Sequence, residues 1–296
     1  MKETYSTSRR VFVVCNYLFL LFAAFICIYP ILHLLAVSLS EGWYVEAGKV
    51  GIWPVGLTLE PYRFVMEKPE FARSFFISVE RVVLGVSINM LLTLLAAYPL
   101  SKSKRSFKSR VFYVWFFIIT MLFSGGLIPA YMVVSKTGLI NSIWALILPG
   151  AIPVYHVIIL HNFFKELPIE IEESAFMDGA GYWRSLWNVY IPLSKPALAT
   201  LVLFCVVIHW NAWFDGILYM NSPLKYPLQS YLQTVVIQVD LSNSGQIGSQ
   251  LSELSAISQR NTRAAKIFVA MIPVLLAYPY LQRYFTHGMV LGSVKG

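Results

Sequence analysis

Charge is scarce in this sequence. Asp, Glu, Lys and Arg make up only 13% of its 296 residues, while 57% are hydrophobic. A soluble domain carries about 25% charged residues, so this chain has too little polar surface for one, and no segment reads as a separate soluble domain. Cysteine is nearly absent. Cys15, Cys27 and Cys205 all fall inside apolar runs, which excludes a disulfide framework and leaves them as small buried or lipid-facing side chains. Catalytic signatures are missing too. There is no H-E-x-x-H, no G-x-S-x-G and no pair of aspartates inside an apolar run, so the usual membrane-embedded hydrolases are excluded. No G-x-x-x-x-G-K-[ST] phosphate loop occurs, and "NSGQIGSQ", 243–250, has the glycines without the lysine. The chain is therefore expected to hydrolyse no ATP, to be no enzyme and to bind no cofactor itself. His156 and His161 do not make a metal site as a pair and read as packing or belt residues.

What is present is apolar length. Six runs are each long enough to cross ~30 Å of hydrocarbon as a helix: Val11–Val37, Phe75–Pro99, Val111–Val134, Ile143–Phe163, Ala197–Tyr219 and Ala264–Phe285. The sequence thus predicts an all-α, polytopic membrane protein with six transmembrane helices. Arg9 and Arg10 precede the first run as in a signal peptide. That run is far longer than an h-region of about 7–15 residues and no small-x-small cleavage site closes it, so it is expected to be retained.

The net charge of +8 reads as topology rather than as a nucleic-acid surface, because the basic residues lie in short loops beside apolar spans. "SKSKRSFKSR", 101–110, holds five basic residues and no acidic one, which places it in the cytoplasm together with both termini. Segments 38–74 and 220–263 then lie outside. The first, with Pro54, Pro61 and Pro69, reads as an irregular folded loop. The second contains "YPLQSYLQTVVIQV", 226–239, whose apolar residues recur at spacings of three and four, as on one face of a surface helix.

One insert stands apart. Residues 164–195 include "EESAFMDGAGYWRSLWNVYIPLSKP", 172–196, between two apolar runs. Pro168 suits a first helical position. Glu170, Glu172 and Glu173 favour the positive helix end. Gly179 can take the left-handed conformation that stops a helix, a role Gly181 could share. A second helix from about Tyr182 to Tyr190, stopping near Pro192, puts Trp183 and Trp187 on one face. The result is an amphipathic helix–turn–helix, suited either to resting on headgroups or to docking on a partner.

Glu173, Ser174 and Ala175, then three residues, Gly179, nine residues, then Val189, Tyr190, Ile191 and Pro192 match the spacing of E-A-A-x-x-x-G…I-x-L-P. Asp178 supplies the D-G pair common in sugar permeases. In this the chain resembles the permeases of ABC importers. "FSGGLIPAYMVV", 123–134, "GLINSIWALILPGAIPVYHVII", 138–159, "HWNAWFDGILY", 209–219, and the ending "GMVLGSVKG" extend the likeness to maltose-type carbohydrate permeases over nearly the whole chain. They are most similar to the lipoprotein-permease-like subgroup for complex oligosaccharides.

The resemblance implies a single permease domain over 1–296 with the type I importer fold, in a bacterial cell membrane. It implies that Glu173, Ser174, Ala175, Asp178, Gly179, Ile191 and Pro192 couple the chain to a separate ATPase. The implied partners are two ATPase subunits, which carry the ATP and Mg, a second permease, a paralogue of this chain, and an outer solute-binding lipoprotein with its oligosaccharide. An ion-coupled secondary transporter is the alternative. It would want a carboxylate near the middle of a span, and Glu80 and Asp215 both lie toward the outer side.

For the transport path, amides and flat aromatic faces suit a sugar. Asn89, Trp210, Asn211, Trp213 and Asp215 are the candidates, with His209 beside them. Wound as one helix at 100° per residue, His209 and Trp213 share one side and Asn211 and Asp215 another. That points Asn211 and Asp215 at an interface or cavity and one tryptophan at lipid. Glu80, Arg81, Asp215 and Lys266 are expected to snorkel or to pair with one another.

Overall fold

A computed structural model describes residues 7–104, 106–234, 260–276 and 279. The chain divides into two compact units, Met1–Pro69 with Val235–Met271, and Glu70–Thr234 with Ile272–Gly296. Among the described residues there are no strands, only one isolated antiparallel bridge between Ser40 and Leu57.

In the first unit, α1 (Thr7–Ser38) is 32 residues long, about 48 Å at 1.5 Å per residue. Its apolar side chains from Val11 to Tyr29 are mostly exposed, as a lipid-facing helix requires. The chain then folds back on the end of α1. The Ser40 hydroxyl donates to the Ala36 carbonyl at 2.6 Å and accepts the Val55 N–H at 3.0 Å. His33 Nδ1 meets the Gly51 carbonyl at 2.8 Å. Two short helices, α2 (Gly42–Glu46) and α3 (Glu60–Glu67), sit in this loop. A small core of Ala36, Val45 and Val50 closes it. Asn261, in a helix over 260–276, donates to the Ser40 carbonyl at 3.2 Å. The expected folded loop is thus a built object, pinned by side-chain bonds to its backbone.

In the second unit, α4 (Pro69–Ser101) runs 33 residues with Pro99 in its last turn. Its buried stripe is Ser74, Ser78, Arg81, Gly85, Asn89, Thr93 and Ala97, spaced by three and four as one helix face must be. These are mostly small residues, which let other helices approach closely. α1 from Val11 to Ser38 and α4 are the two described helices long and apolar enough to cross a membrane unaided; counting each bent pair as one span gives up to five.

The expected third span, Val111–Val134, is broken. α5 (Arg110–Leu122) and α6 (Leu127–Lys136) meet at 113° across Phe123–Gly126. Gly126 has φ +85°, a left-handed conformation open to glycine, and Pro129 follows in the first turn of α6, where a missing N–H costs nothing. The fourth, Ile143–Phe163, starts as two 3-10 turns, Ile143–Leu146 and Leu148–Gly150, and bends 47° before α7 (Val154–Glu166). Pro149 and Pro153 prevent a continuous helix there.

The insert forms α8 (Ile169–Met177) and then α9 (Tyr182–Ser185), a π-turn (Leu186–Tyr190) and α10 (Ile191–Leu193). Pro168 precedes α8 as its N-cap rather than opening it. The second helix runs through Pro192 to Leu193. A proline ring cannot donate to the carbonyl four residues back and crowds it, and the widened π-turn lies over that stretch.

An 83° bend leads into α11 (Lys195–Asn211). The expected fifth span does not continue to Tyr219. It breaks at Ala212–Trp213, and α12 (Phe214–Tyr219) starts afresh. The surface-helix stretch 226–239 is helical over 228–234, where Ser78 Oγ accepts the Leu228 N–H at 2.7 Å. Residues 235–239 of that stretch, and the sixth span beyond 276 apart from 279, lie outside the described residues.

Candidate functional site

The insert ends its first helix by backbone geometry alone. Gly179 has φ +80°. Its N–H reaches the Phe176 carbonyl at 3.0 Å, and the Ala180 N–H reaches the Ala175 carbonyl at 2.9 Å. That pair of bonds is a Schellman stop, which needs a left-handed residue at the turn. Gly181 is extended and serves instead as the N-cap of α9.

The tip of the insert is apolar and uncovered. Met177 is 88% exposed, and Phe176, Tyr182, Trp183 and Trp187 are exposed with it. Trp183 and Trp187 pack edge to face at 6.3 Å, as do Phe176 and Tyr182 at 5.1 Å. Glu173, Ser174 and Asp178 are exposed, Ala175 half-buried. Ile191 packs on the core formed by Ala97, Tyr98, Leu160, Phe164 and Leu186, while Pro192 is exposed.

The base of the insert is polar and enclosed. Lys102 Nζ lies 2.6 Å from Glu172 Oε1, and the Tyr190 hydroxyl donates to Glu172 Oε2 at 2.7 Å. The ammonium sits 3.8 Å from the Tyr98 ring centroid and 3.9 Å from that of Tyr190, a double cation–π contact. Burial pushes the Lys102 pKa down and the Glu172 carboxylate pulls it back up. Burial and the bond to Glu172 raise that of the Tyr190 phenol. Sequence reasoning missed this cluster. Glu172 read as a helix-end charge and Lys102 as a topology signal. The available hint was Tyr98 four residues before Lys102 at a helix end.

A second polar cluster lies inside the helices. Arg81, 3% exposed, forks onto both oxygens of Asp215 and also donates to the Ala212 carbonyl at 3.3 Å and the Leu146 carbonyl at 3.4 Å. Arg81 therefore ties α4 to the 3-10 turn and to the α11–α12 break, occupying a carbonyl that the break frees. Asp215 Oδ1 accepts the Gly216 N–H at 2.9 Å in the first turn of α12. Of the snorkelling or mutual pairing expected for Glu80, Arg81, Asp215 and Lys266, Arg81 and Asp215 show pairing with each other.

Asn89 donates to the Gly150 and Ala151 carbonyls at 2.8 and 2.9 Å, and its Oδ1 meets His209 Nε2 at 2.6 Å. With the amide nitrogen fixed on two carbonyls, the histidine must donate from Nε2. Arg81, Asn89, His209, Ala212 and Asp215 line a cavity of about 380 Å³ that also reaches His156 and Cys205.

The other path candidates scatter. Trp210 is buried and packs on Phe75 at 5.8 Å, Trp213 is 41% exposed, and Asn211 is exposed at the end of α11. The single helical wheel does not apply, because the break at Ala212–Trp213 separates Asp215 from Asn211.

Long apolar helices, broken spans and an amphipathic knob with an uncovered aromatic tip define a membrane subunit built to engage another protein. The family model for the inner membrane component of binding-protein-dependent transport systems matches residues 89–290, and the chain belongs to that family. Among its relatives, Protein LplC of Bacillus subtilis (strain 168) is 40% identical over 97% of this chain and 96% of LplC. The polygalacturonan/rhamnogalacturonan transport system permease protein YtcP of the same organism is also 40% identical, over 97% of this chain and 99% of YtcP. A chain from the crystal structure of a bacterial ABC transporter that imports the acidic polysaccharide alginate superposes with a TM-score of 0.85 at 30% identity, covering 96% of this chain and all of that one.

Proposed function

We propose that this chain is a non-catalytic permease subunit of an ABC importer that carries an oligosaccharide into the cell by alternating access. The observation that carries the reading is the insert: a Schellman stop at Gly179 presents a bare aromatic tip on a knob with a polar base. Residues 1–296 act as one permease domain, with 164–195 as the cytoplasmic coupling loop and 38–74 and 220–263 outside. Glu173, Ser174, Ala175, Asp178, Gly179, Ile191 and Pro192 couple the chain to one of two separate ATPase subunits, which bind the ATP and Mg, with Ile191 anchoring the loop on the core. A paralogous second permease completes the core, and an outer solute-binding lipoprotein delivers the sugar. Asn89 and Asp215, which line the cavity, belong to the substrate path, with Trp210, Asn211 and Trp213 beside it at the end of α11. The names of YtcP and of the alginate importer point to fragments of polysaccharides such as polygalacturonan, rhamnogalacturonan or the acidic alginate.

The test is expression with the neighbouring transport genes, purification through this chain, and reconstitution into liposomes. The wild type should bring down an ATPase whose hydrolysis is stimulated by binding protein with one member of a panel: malto-, xylo-, galacturonate or alginate oligomers. A Cβ at Gly179 meets no atom within 4 Å, so Gly179→Val acts first through backbone conformation, costing about 1–2 kcal/mol at a left-handed residue. It should leave the helices folded but cut ATPase retention and uptake together. Normal retention and uptake in Gly179→Val would remove the insert from the coupling role.

Orientation is checked separately by cysteine labelling in intact cells with an impermeant maleimide, after replacing Cys15, Cys27 and Cys205. Lys49→Cys should label and Ser106→Cys should not, both positions being exposed in their loops. The reverse pattern would put the insert on the outer side and sink the ATPase-docking reading.

A further inference from the structure

Glu172 stands one residue before the Glu173-Ser174-Ala175 run, and its side chain is turned into the base of the insert. Its surroundings are unusually complete. Both carboxylate oxygens are bonded, one by Lys102 Nζ and the other by the Tyr190 hydroxyl. Lys102 in turn is held between two ring faces, and its own carbonyl accepts a bond from Arg110 Nη1 at 2.8 Å. The side chains are only 7% and 12% exposed.

Stability alone does not account for this arrangement. A buried ion pair is often neutral or worse than well-packed apolar residues of the same volume, because desolvation offsets the attraction. What it supplies is a fixed geometry between two particular backbone positions. One is the first turn of α8. The other is the end of α4, a 33-residue helix whose buried stripe carries Asn89 and Arg81. From Lys102 back to Arg81 is about 30 Å at 1.5 Å per residue. α4 therefore runs as one rod from the base of the insert to the cavity wall. The start of α5 is tied to the same point through Arg110.

We infer that Lys102 and Glu172, clamped by Tyr98 and Tyr190, form the linkage that hands displacement of the insert to α4, and so act as positioning residues for energy coupling. The inference rests on reading the insert as the ATPase-docking element. Packed elements with two discrete arrangements transmit such displacements as rigid bodies. The clamp makes the first turn of α8 and the foot of α4 move as one piece.

The experiment uses the whole reconstituted transporter with its binding protein and the panel oligosaccharide giving the strongest wild-type stimulation. Three variants are compared. Glu172→Gln removes the charge and keeps the shape. Tyr190→Phe removes one bond to Glu172 and keeps the ring. Lys102→Arg keeps the cation over both rings. Glu172→Gln should retain the ATPase at wild-type stoichiometry with basal hydrolysis within about two-fold, while stimulation and uptake fall at least about five-fold, the lower end of a typical coupling free energy. Tyr190→Phe should fall in the same direction by less, and Lys102→Arg should stay near wild type. Unchanged stimulation in Glu172→Gln overturns the linkage. So does a loss that merely tracks loss of the ATPase in both Glu172→Gln and Tyr190→Phe, since the cluster would then only hold the fold. If the wild type retains no ATPase or takes up no sugar, it is the importer reading that fails, and that outcome is visible before any variant is made.

Discussion

Arg81→Met should destabilise the protein severely. Arg81 is 3% exposed and forks onto Asp215 while donating to the Ala212 and Leu146 carbonyls. Removing one partner of a fully buried pair costs about 3–5 kcal/mol, and the loss here is smaller because Asp215 is 27% exposed and keeps its bond from the Gly216 N–H. The two carbonyls lose a charged donor as well. The expected result is a clearly lower melting temperature in detergent, with early loss of the monodisperse peak on size exclusion. The double variant Arg81→Met/Asp215→Leu should recover much of that loss, since a buried pair replaced by apolar residues is often neutral. A single variant that melts with the wild type would show that the α11–α12 break is held by something else.

Gly85→Val should be nearly as damaging, for a steric reason. A Cβ on Gly85 would lie 2.5 Å from His209 Nε2 and 2.6 Å from Cε1. The ring cannot swing aside freely, because His209 is buried and bonded to Asn89. Overpacking costs about 1–3 kcal/mol, and losing the His209 donor strands a buried amide oxygen for about 1–3 more. The gain in helix propensity over glycine is under about 1 kcal/mol, so the clash wins. Gly150→Ala is the matched control, since a Cβ there meets no atom within 4 Å. Equal melting temperatures for Gly85→Val and the wild type would mean that α4 and α11 leave room for a side chain at this crossing.

The legible parts of this protein were those encoded locally. The stop at Gly179 follows from a few residues, because a left-handed position and two backbone bonds need nothing distant. The amphipathic tip was readable from Trp183 and Trp187 for the same reason. The clamp was not, since Lys102 and Glu172 are 70 residues apart and each has an ordinary local explanation. Arg81 was visible as an ionisable residue in a span. That it pairs with Asp215 across 134 residues was only one of several pairings open to it. Broken spans divide the same way. Gly125–Gly126 and Pro149 are written in the sequence, but apolar run length averages across them. The break at Ala212–Trp213 has no glycine or proline within it. Its carbonyls are met from outside, that of Ala212 by Arg81 and that of Trp213 by the Ser230 hydroxyl.

The elbow between α5 and α6 says where water or protein must be. α5 is 13 residues long, about 20 Å, which is short of the ~30 Å hydrocarbon layer. Its backbone leaves the helix at Phe123 and does not rejoin one until Leu127. Hydrocarbon offers those amides and carbonyls no partner, and each unsatisfied group costs several kcal/mol there. α5 has no buried residue and α6 only Val134, and Phe123–Gly126 are exposed, so among the described residues nothing wraps the elbow. Where the elbow lies within the hydrocarbon, the lipid annulus must be interrupted beside Ser124 and Gly125 by a second subunit or by a wet passage. A hydrogen-exchange experiment on the assembled transporter can tell the two apart. Slow amides at Ser124 and Gly125 mean a protein neighbour, and fast ones mean that the aqueous route runs past this corner.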